Sequence, residues 1–303
     1  MRWRGQRRST NVEDRRGRRG GGMGGMRIPG GTRRGGGIGL GTIVIGLIIA
    51  WLLGINPLSL LGVIDGGGSG GLMPSQQVSP QASQAGAPIE DEMGQFVSVV
   101  LASTEDTWDA VFARAGARYQ PPRLVLYTGS TRTACGMGDA AAGPFYCPAD
   151  QTVYIDLGFY QVLRQRFGAS GDLAEAYVIA HEVGHHVQNL VGTMAKMDSA
   201  RRQLSERDYK QLSIRLELQA DCFAGIWTNH SQQARGWLEE GDIEEAIRAA
   251  AAVGDDNIMK RTQGVVVPDA FTHGSSEQRM RWFQIGARTG QIEQCNTFAA
   301  ERL

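Results

Sequence analysis

Ala180-His181-Glu182-Val183-Gly184-His185-His186 follows directly on Leu173-Ala-Glu-Ala-Tyr-Val-Ile-Ala180, a run with the composition of a helix. At about 3.6 residues per turn, His181 and His185 fall one turn apart on one face, so both imidazoles can meet a single ion. Glu182 stands beside them, within reach of the proton of a water on that ion. H-E-x-x-H on a helix therefore reads as a zinc site with an adjacent base. The plainer alternative is a solvated helix face carrying His and Glu. The apolar flank of Val178, Ile179, Ala180 and Val187 weighs against it, because buried imidazoles and a buried carboxylate need a partner.

Two histidines do not complete a catalytic zinc site, which takes about three protein ligands and keeps one position open. A third His six residues after the second would close the site, but that position is Val191. The other solution is a carboxylate from a second helix. Glu217-Leu218-Gln219-Ala220-Asp221 lies in a helical run from about Glu206 to Trp227, with Leu216, Ala220, Phe223 and Ala224 as its apolar contacts. Glu217 is the expected third ligand. Asp221, one turn on and within an apolar stretch, is expected to accept a hydrogen bond from a ligand imidazole and fix its tautomer. Pairing of Glu217 with Arg215 or Lys210 on a wet surface is the competing reading.

The net charge of zero hides an asymmetry: the first 34 residues hold eleven Arg and two acids, leaving 20 basic and 29 acidic residues for the rest. Residues 1–37 read as a disordered Arg/Gly-rich tail. It superficially resembles RNA-binding segments, but serves better as a flank attracted to anionic lipid head groups, so no nucleic acid is expected. Residues 35–64 carry no charge, and residues 38–64 read as a single-pass transmembrane signal anchor. The positive flank predicts a cytoplasmic N-terminus and an extracytoplasmic body, at the inner or plasma membrane of a bacterium. Residues 65–88, Gly/Ser-rich and then Gln/Ser/Pro/Ala-rich, form a flexible linker with a reach of about 25–30 Å.

Residues 89–303 form one catalytic-sized domain, read as α+β: mostly helical with a small sheet. Expected elements are a helix from the acidic Glu90-Asp91-Glu92 to about Ala117, strands Arg123–Tyr127 and Thr152–Asp156, and a helix from Leu157 to Phe167. Asp172 is the expected N-cap of the helix bearing the histidines. Further helices are expected over Ser231–Trp237, Asp242–Val253 and Ser275 to about Arg288, the last capped by Ser275 or Ser276. The four cysteines pair as disulfides in an oxidising compartment, Cys135 with Cys147 and Cys222 with Cys295. Zinc thiolates are the rival reading, but no C-x-x-C occurs. His273, on a loop before a helix, is a candidate to stabilise a developing oxyanion with support from Arg279, or else a histidine satisfying a turn.

H-E-V-G-H-H at 181–186, E-L-Q-A-D-C-F-A-G at 217–225, G-P-F-Y-C-P-A-D at 143–150 and T-H-G-S-S-E-Q-R at 272–279 together resemble the neutral zinc metallopeptidases of bacteria. The resemblance covers nearly the whole chain. It implies a zincin-like fold, Zn2+ on His181 and His185, and Glu182 as catalytic base. The E-x-x-A-D element is similar to that of the membrane-embedded prenyl-protein endopeptidases, which implies Glu217 as the ligand completing the site. Their Thr-His-Pro element is similar to Thr272-His273-Gly274, with Gly274 in place of proline. The implied function is hydrolysis of a peptide or protein substrate by a zinc-activated water, with the strand Thr152–Asp156 as the edge along which the peptide docks. The alternative is a non-catalytic, membrane-anchored scaffold with a structural zinc.

Overall fold

The computed structural model describes residues 1–17 and 89–303. The expected anchor at 38–64, the linker at 65–88 and the remainder of the tail lie outside the described residues. Among those described, no helix is long and apolar enough to cross a membrane. The helices are α1 (Glu92–Arg114), α2 (Gly158–Phe167), α3 (Asp172–Leu190), α4 (Thr193–Gln203), α5 (Glu206–Arg235), α6 (Asp242–Ala252), α7 (Asp255–Gln263) and α8 (Ser276–Thr289). The strands are β1 (Val12–Asp14), β2 (Arg123–Tyr127), β3 (Ser130–Thr133), β4 (Gly136–Asp139), β5 (Phe145–Cys147) and β6 (Thr152–Asp156). This is a mostly helical α+β body with a small sheet.

Helix α3 is the hub. Every residue from Leu173 to Gln188 is buried, so this helix is covered on all sides. Helix α5 crosses it where Gly184 meets Ala220: a Cβ on Gly184 would stand 3.0 Å from the Ala220 carbonyl oxygen. Helix α8 in turn lies against α5 through a second glycine pair. A Cβ on Gly225 would fall 2.2 Å from the Phe283 carbonyl oxygen, and one on Gly286 would fall 1.9 Å from that of Cys222. Only backbones without side chains approach so closely. Around these crossings sit Trp108, Trp227, Trp237, Tyr177 and Phe283, all fully or almost fully buried.

The four-stranded sheet has the order β1-β2-β6-β5. β1 and β2 are parallel, as are β2 and β6, whereas β5 runs antiparallel to β6. β6 is therefore an interior strand, and the docking edge expected at Thr152–Asp156 is corrected: both sides of β6 are taken, and among the described residues the edge strands are β1 and β5. The hairpin β3–β4 stands apart as a two-stranded sheet. Cys135, in its turn, is joined to Cys147 on β5, and Cys222 on α5 is joined to Cys295 near the C-terminus, so the expected pairing is found and no described cysteine is free.

The first 17 residues correct the expectation of a disordered tail. They fold onto the body, with Val12, Glu13 and Asp14 in register with Leu124, Val125 and Leu126. Their arginines meet acids: Arg7 bonds Glu105 and Asp106 of α1, and Arg16 bonds Asp14 of β1 and Asp91, the cap of α1. Trp3 is buried edge-on against Phe96, with ring centroids 5.3 Å apart. Within residues 1–17, Arg4, Arg7, Arg15 and Arg16 thus find acidic counterparts within the chain. Trp3→Ala is expected to destabilise the body by about 3 kcal/mol, read from the urea midpoint at unchanged slope.

Two smaller expectations change, and a third holds. Asp172 is the first residue of α3 and not its cap; the cap position is Gly171, which makes no side-chain bond. Helix α5 runs unbroken to Arg235 and stops at left-handed Gly236, so no separate helix begins at Ser231. Helix α8 does begin after Ser275, whose hydroxyl accepts from the Gln278 N–H while the Gln278 side chain returns the bond.

Candidate metal centre

The close crossing of α3 and α5 at Gly184 and Ala220 brings one carboxylate to two imidazoles. Glu217 Oε2 lies 3.4 Å from His181 Nε2, and Glu217 Oε1 lies 3.6 Å from His185 Nε2. One ligand atom from each residue can be chosen so that all lie within 4.8 Å of one another. Both rings are turned by their other nitrogen. His181 Nδ1 donates to Asp221 Oδ1 at 2.8 Å, and His185 Nδ1 donates to Gln188 Oε1 at 2.9 Å. The Nε2 lone pairs are thereby aimed at the shared space. Gln188 is itself held, since its amide donates to the Leu216 carbonyl at 2.7 Å. Two imidazoles and a carboxylate, oriented by outer hydrogen bonds, form the donor set of a zinc or similar transition-metal site, and the residues present fit such an ion.

Asp221 is fully buried and its oxygens are saturated: besides His181 it accepts from the Tyr177 hydroxyl, from Arg279 Nε at 2.8 Å and from Arg279 Nη2 at 2.9 Å. Among the described residues it is not one of the three whose donor atoms converge. Arg279 is expended here too, donating also to the Val253 carbonyl at 3.1 Å. These bonds set Arg279 against Asp221 and His181, while it also lines the cavity. Burial pushes the Asp221 carboxyl up, but the Arg279 guanidinium and His181 outweigh it and hold the carboxyl below its ordinary value. Burial likewise opposes charge on His181, yet Asp221 and Glu217 raise it to about 9. A metal ion must displace that proton to bind.

Glu182 is 8 % exposed and lines the same cavity as the three donors. Burial raises its pKa, with the positive field of His185 and His181 acting the other way. A carboxylate moved upward in this manner is better matched to accepting and releasing a proton near neutrality. Glu217 is also pushed up by burial, but His185, His273 and the bonds to both ligand imidazoles hold it well below its ordinary value, so it is ionised.

His273 lines the cavity on the Glu217 side, its Nδ1 3.1 Å from Asp255 Oδ1 and 2.9 Å from Thr272 Oγ1. Asp255 was not foreseen. Its Oδ2 accepts from the backbone N–H groups of Thr272, His273 and Gly274 at 2.7, 2.6 and 3.1 Å, so one carboxylate shapes the whole loop. Gly274 has φ of +97°, which proline cannot reach. That is the physical reason glycine stands at this position. Burial pushes Asp255 up, but the His273 and backbone hydrogen bonds prevail and hold it below the ordinary 3.8. Its contribution to stability is therefore complete at neutral pH and lost as acid takes the pH below about 4 and through the folded value. Asp255→Asn should lower stability at pH 7 by about 1–3 kcal/mol and flatten its decline between pH 5 and 2, as measured by denaturant titration across that range.

His186, next in sequence to a ligand, points elsewhere. Its Nδ1 accepts from the Tyr146 hydroxyl at 2.9 Å and its Nε2 donates to the Gln120 carbonyl at 2.6 Å, pinning β5 to α3. Burial lowers its pKa, consistent with a neutral ring. The cavity over the donors measures about 540 Å³. Gln188 and Tyr177, which sequence alone did not single out, lie three residues after His185 and four before His181, so helical spacing alone was available to find them. Asp255 carried no such signal.

The chain is 50 % identical over 302 residues to the uncharacterized protein YpfJ of Escherichia coli K12, covering 98 % of this chain and 99 % of that one. It is 38 % identical over 270 residues to the uncharacterized proteins Mb2605 of Mycobacterium bovis and Rv2575 of Mycobacterium tuberculosis, covering 84 % of this chain and 86 % of each. No solved structure matches it. Residues 1–298 match the family described as "Putative neutral zinc metallopeptidase", and with the donor cluster, the docked first strand and both disulfides inside that match, the chain belongs to this family.

Proposed function

We propose that the chain is a zinc-dependent peptidase that hydrolyses peptide bonds in an extracytoplasmic, oxidising compartment. The observation that carries this is the convergence of three donors, among the described residues, beside a buried carboxylate on the wall of an open cleft. Structural zinc sites are closed by four protein ligands, whereas a catalytic site keeps a position open, which favours the peptidase reading over the scaffold. His181, His185 and Glu217 would hold the ion. Zinc in such a site supplies Lewis acidity, polarising the scissile carbonyl and lowering the pKa of water to about 7.

The remaining steps belong to the chain's own groups. Glu182 accepts the proton of the attacking water and delivers it to the departing amine. Asp221 keeps the Nδ1 proton on His181, and Gln188 keeps it on His185, so each ring offers Nε2 inward. His273, held by Asp255, donates to the developing oxyanion. The free edge of β5, which carries the cavity-lining Phe145 and Tyr146, aligns an extended peptide. The two disulfides support the oxidising compartment.

The test is hydrolysis of a broad panel of unfolded protein substrates by the purified chain. Activity should vanish on chelation and return with stoichiometric zinc. A zinc-replete chain that is inert on the whole panel would overturn the proposal.

A further inference from the structure

The cleft above the donor cluster is lined largely by apolar side chains, among them Phe159, Val162 and Phe167 of α2, Val178 of α3, Ile258 of α7 and Phe145 of β5. Away from the metal cluster and its supporting groups, the charged lining residues are Asp156 and Arg166. Asp156 is already committed, accepting from the N–H groups of Gly129 and Gly158 at 2.8 Å each. At about 540 Å³ the space exceeds what one side chain fills and lies within the range of pockets that enclose a whole small ligand. On the β4–β5 side the lining is small (Ala140, Ala141, Ala142, Gly143), so room is left between the walls where larger residues would close it.

Resting on the peptidase reading, we propose that this cleft selects substrates by large apolar side chains next to the scissile bond. The substrate class is an extended segment of the kind a folded protein buries. Charged or small residues at those positions gain nothing from the apolar walls, and a charge placed against them loses its hydration. Burial of one large apolar side chain against such walls is worth roughly one to two orders of magnitude in kcat/KM. The selectivity resides in the walls and not in the ion, so it is open to measurement without turnover.

Two readouts separate the proposal from the activity it rests on. The first is kcat/KM of the zinc-loaded chain on matched peptides with Leu or Phe, Ala, or Asp on either side of the cleaved bond. The second is the binding of the same peptides to zinc-loaded Glu182→Gln, followed by fluorescence anisotropy. The expected result is a preference of about 10- to 100-fold for Leu or Phe over Ala in both, with Asp poorest. Val162→Asp should collapse the Leu-to-Ala ratio by about tenfold or more. Ala142→Trp, which fills space at another lining position, should collapse it too. Melting curves of both variants establish that each is folded, and either one suffices for the comparison. Cleavage without preference overturns the selectivity and leaves the peptidase reading standing. Binding with the expected preference but no cleavage of any peptide supports the selectivity and sinks the peptidase reading. Equal binding of all the peptides overturns the selectivity whether or not turnover is seen.

Discussion

Glu182→Gln should lose hydrolysis by about 10²- to 10⁴-fold in kcat while retaining zinc at one equivalent. The substitution keeps the size and most of the hydrogen-bonding shape of a side chain that is 8 % exposed, and Glu182 lies outside the donor set of His181, His185 and Glu217. What it removes is the capacity to accept a proton. Raised by burial, the native carboxyl is suited to the exchange, whereas an amide takes no proton at any working pH. Metal analysis and peptide kinetics on the same preparation decide the matter. Loss of metal along with activity would relocate Glu182 to the ligand set. Retention of both would require another base.

Asp221→Ala should be the most damaging substitution for stability, at about 3–5 kcal/mol. Asp221 is fully buried, and its removal leaves the guanidinium of Arg279, 4 % exposed, without its carboxylate partner in the interior. The same change frees His181 Nδ1, so zinc affinity should fall by about 10- to 100-fold. The two consequences separate in the double variant Asp221→Ala, Arg279→Met. Removing the stranded cation should restore a large part of the stability, while the imidazole stays unheld and zinc affinity stays low. Denaturant midpoints with and without zinc, and competition with a chelator, measure the two effects independently. If the double variant is no more stable than the single one, the cost does not come from a buried, unpaired guanidinium.

The parts of the site that repeat along one helix were open to reading from residue order. His181 and His185 are four apart, as are Glu217 and Asp221, and a four-residue step on a helix fixes a shared face before any tertiary structure is known. The strands Arg123–Tyr127 and Thr152–Asp156 were legible for the parallel reason, with bounds that coincide with those observed. What escaped depends on contacts between distant segments. Asp255 gathers three backbone N–H groups from 17 to 19 residues away, and nothing local marks it. Arg279 is read from sequence only as support for His273, because its carboxylate partner lies 58 residues back. The first strand, Val-Glu-Asp, has neither length nor alternation, and exists because β2 offers it an edge and α1 offers its arginines acids.

That strand also constrains how the chain can sit relative to a lipid barrier. Neighbouring strands run less than 5 Å apart, so no bilayer can pass between β1 and β2. The first strand and the sheet it joins, and with them Met1 and the metal cluster, therefore stand on one side of any bilayer.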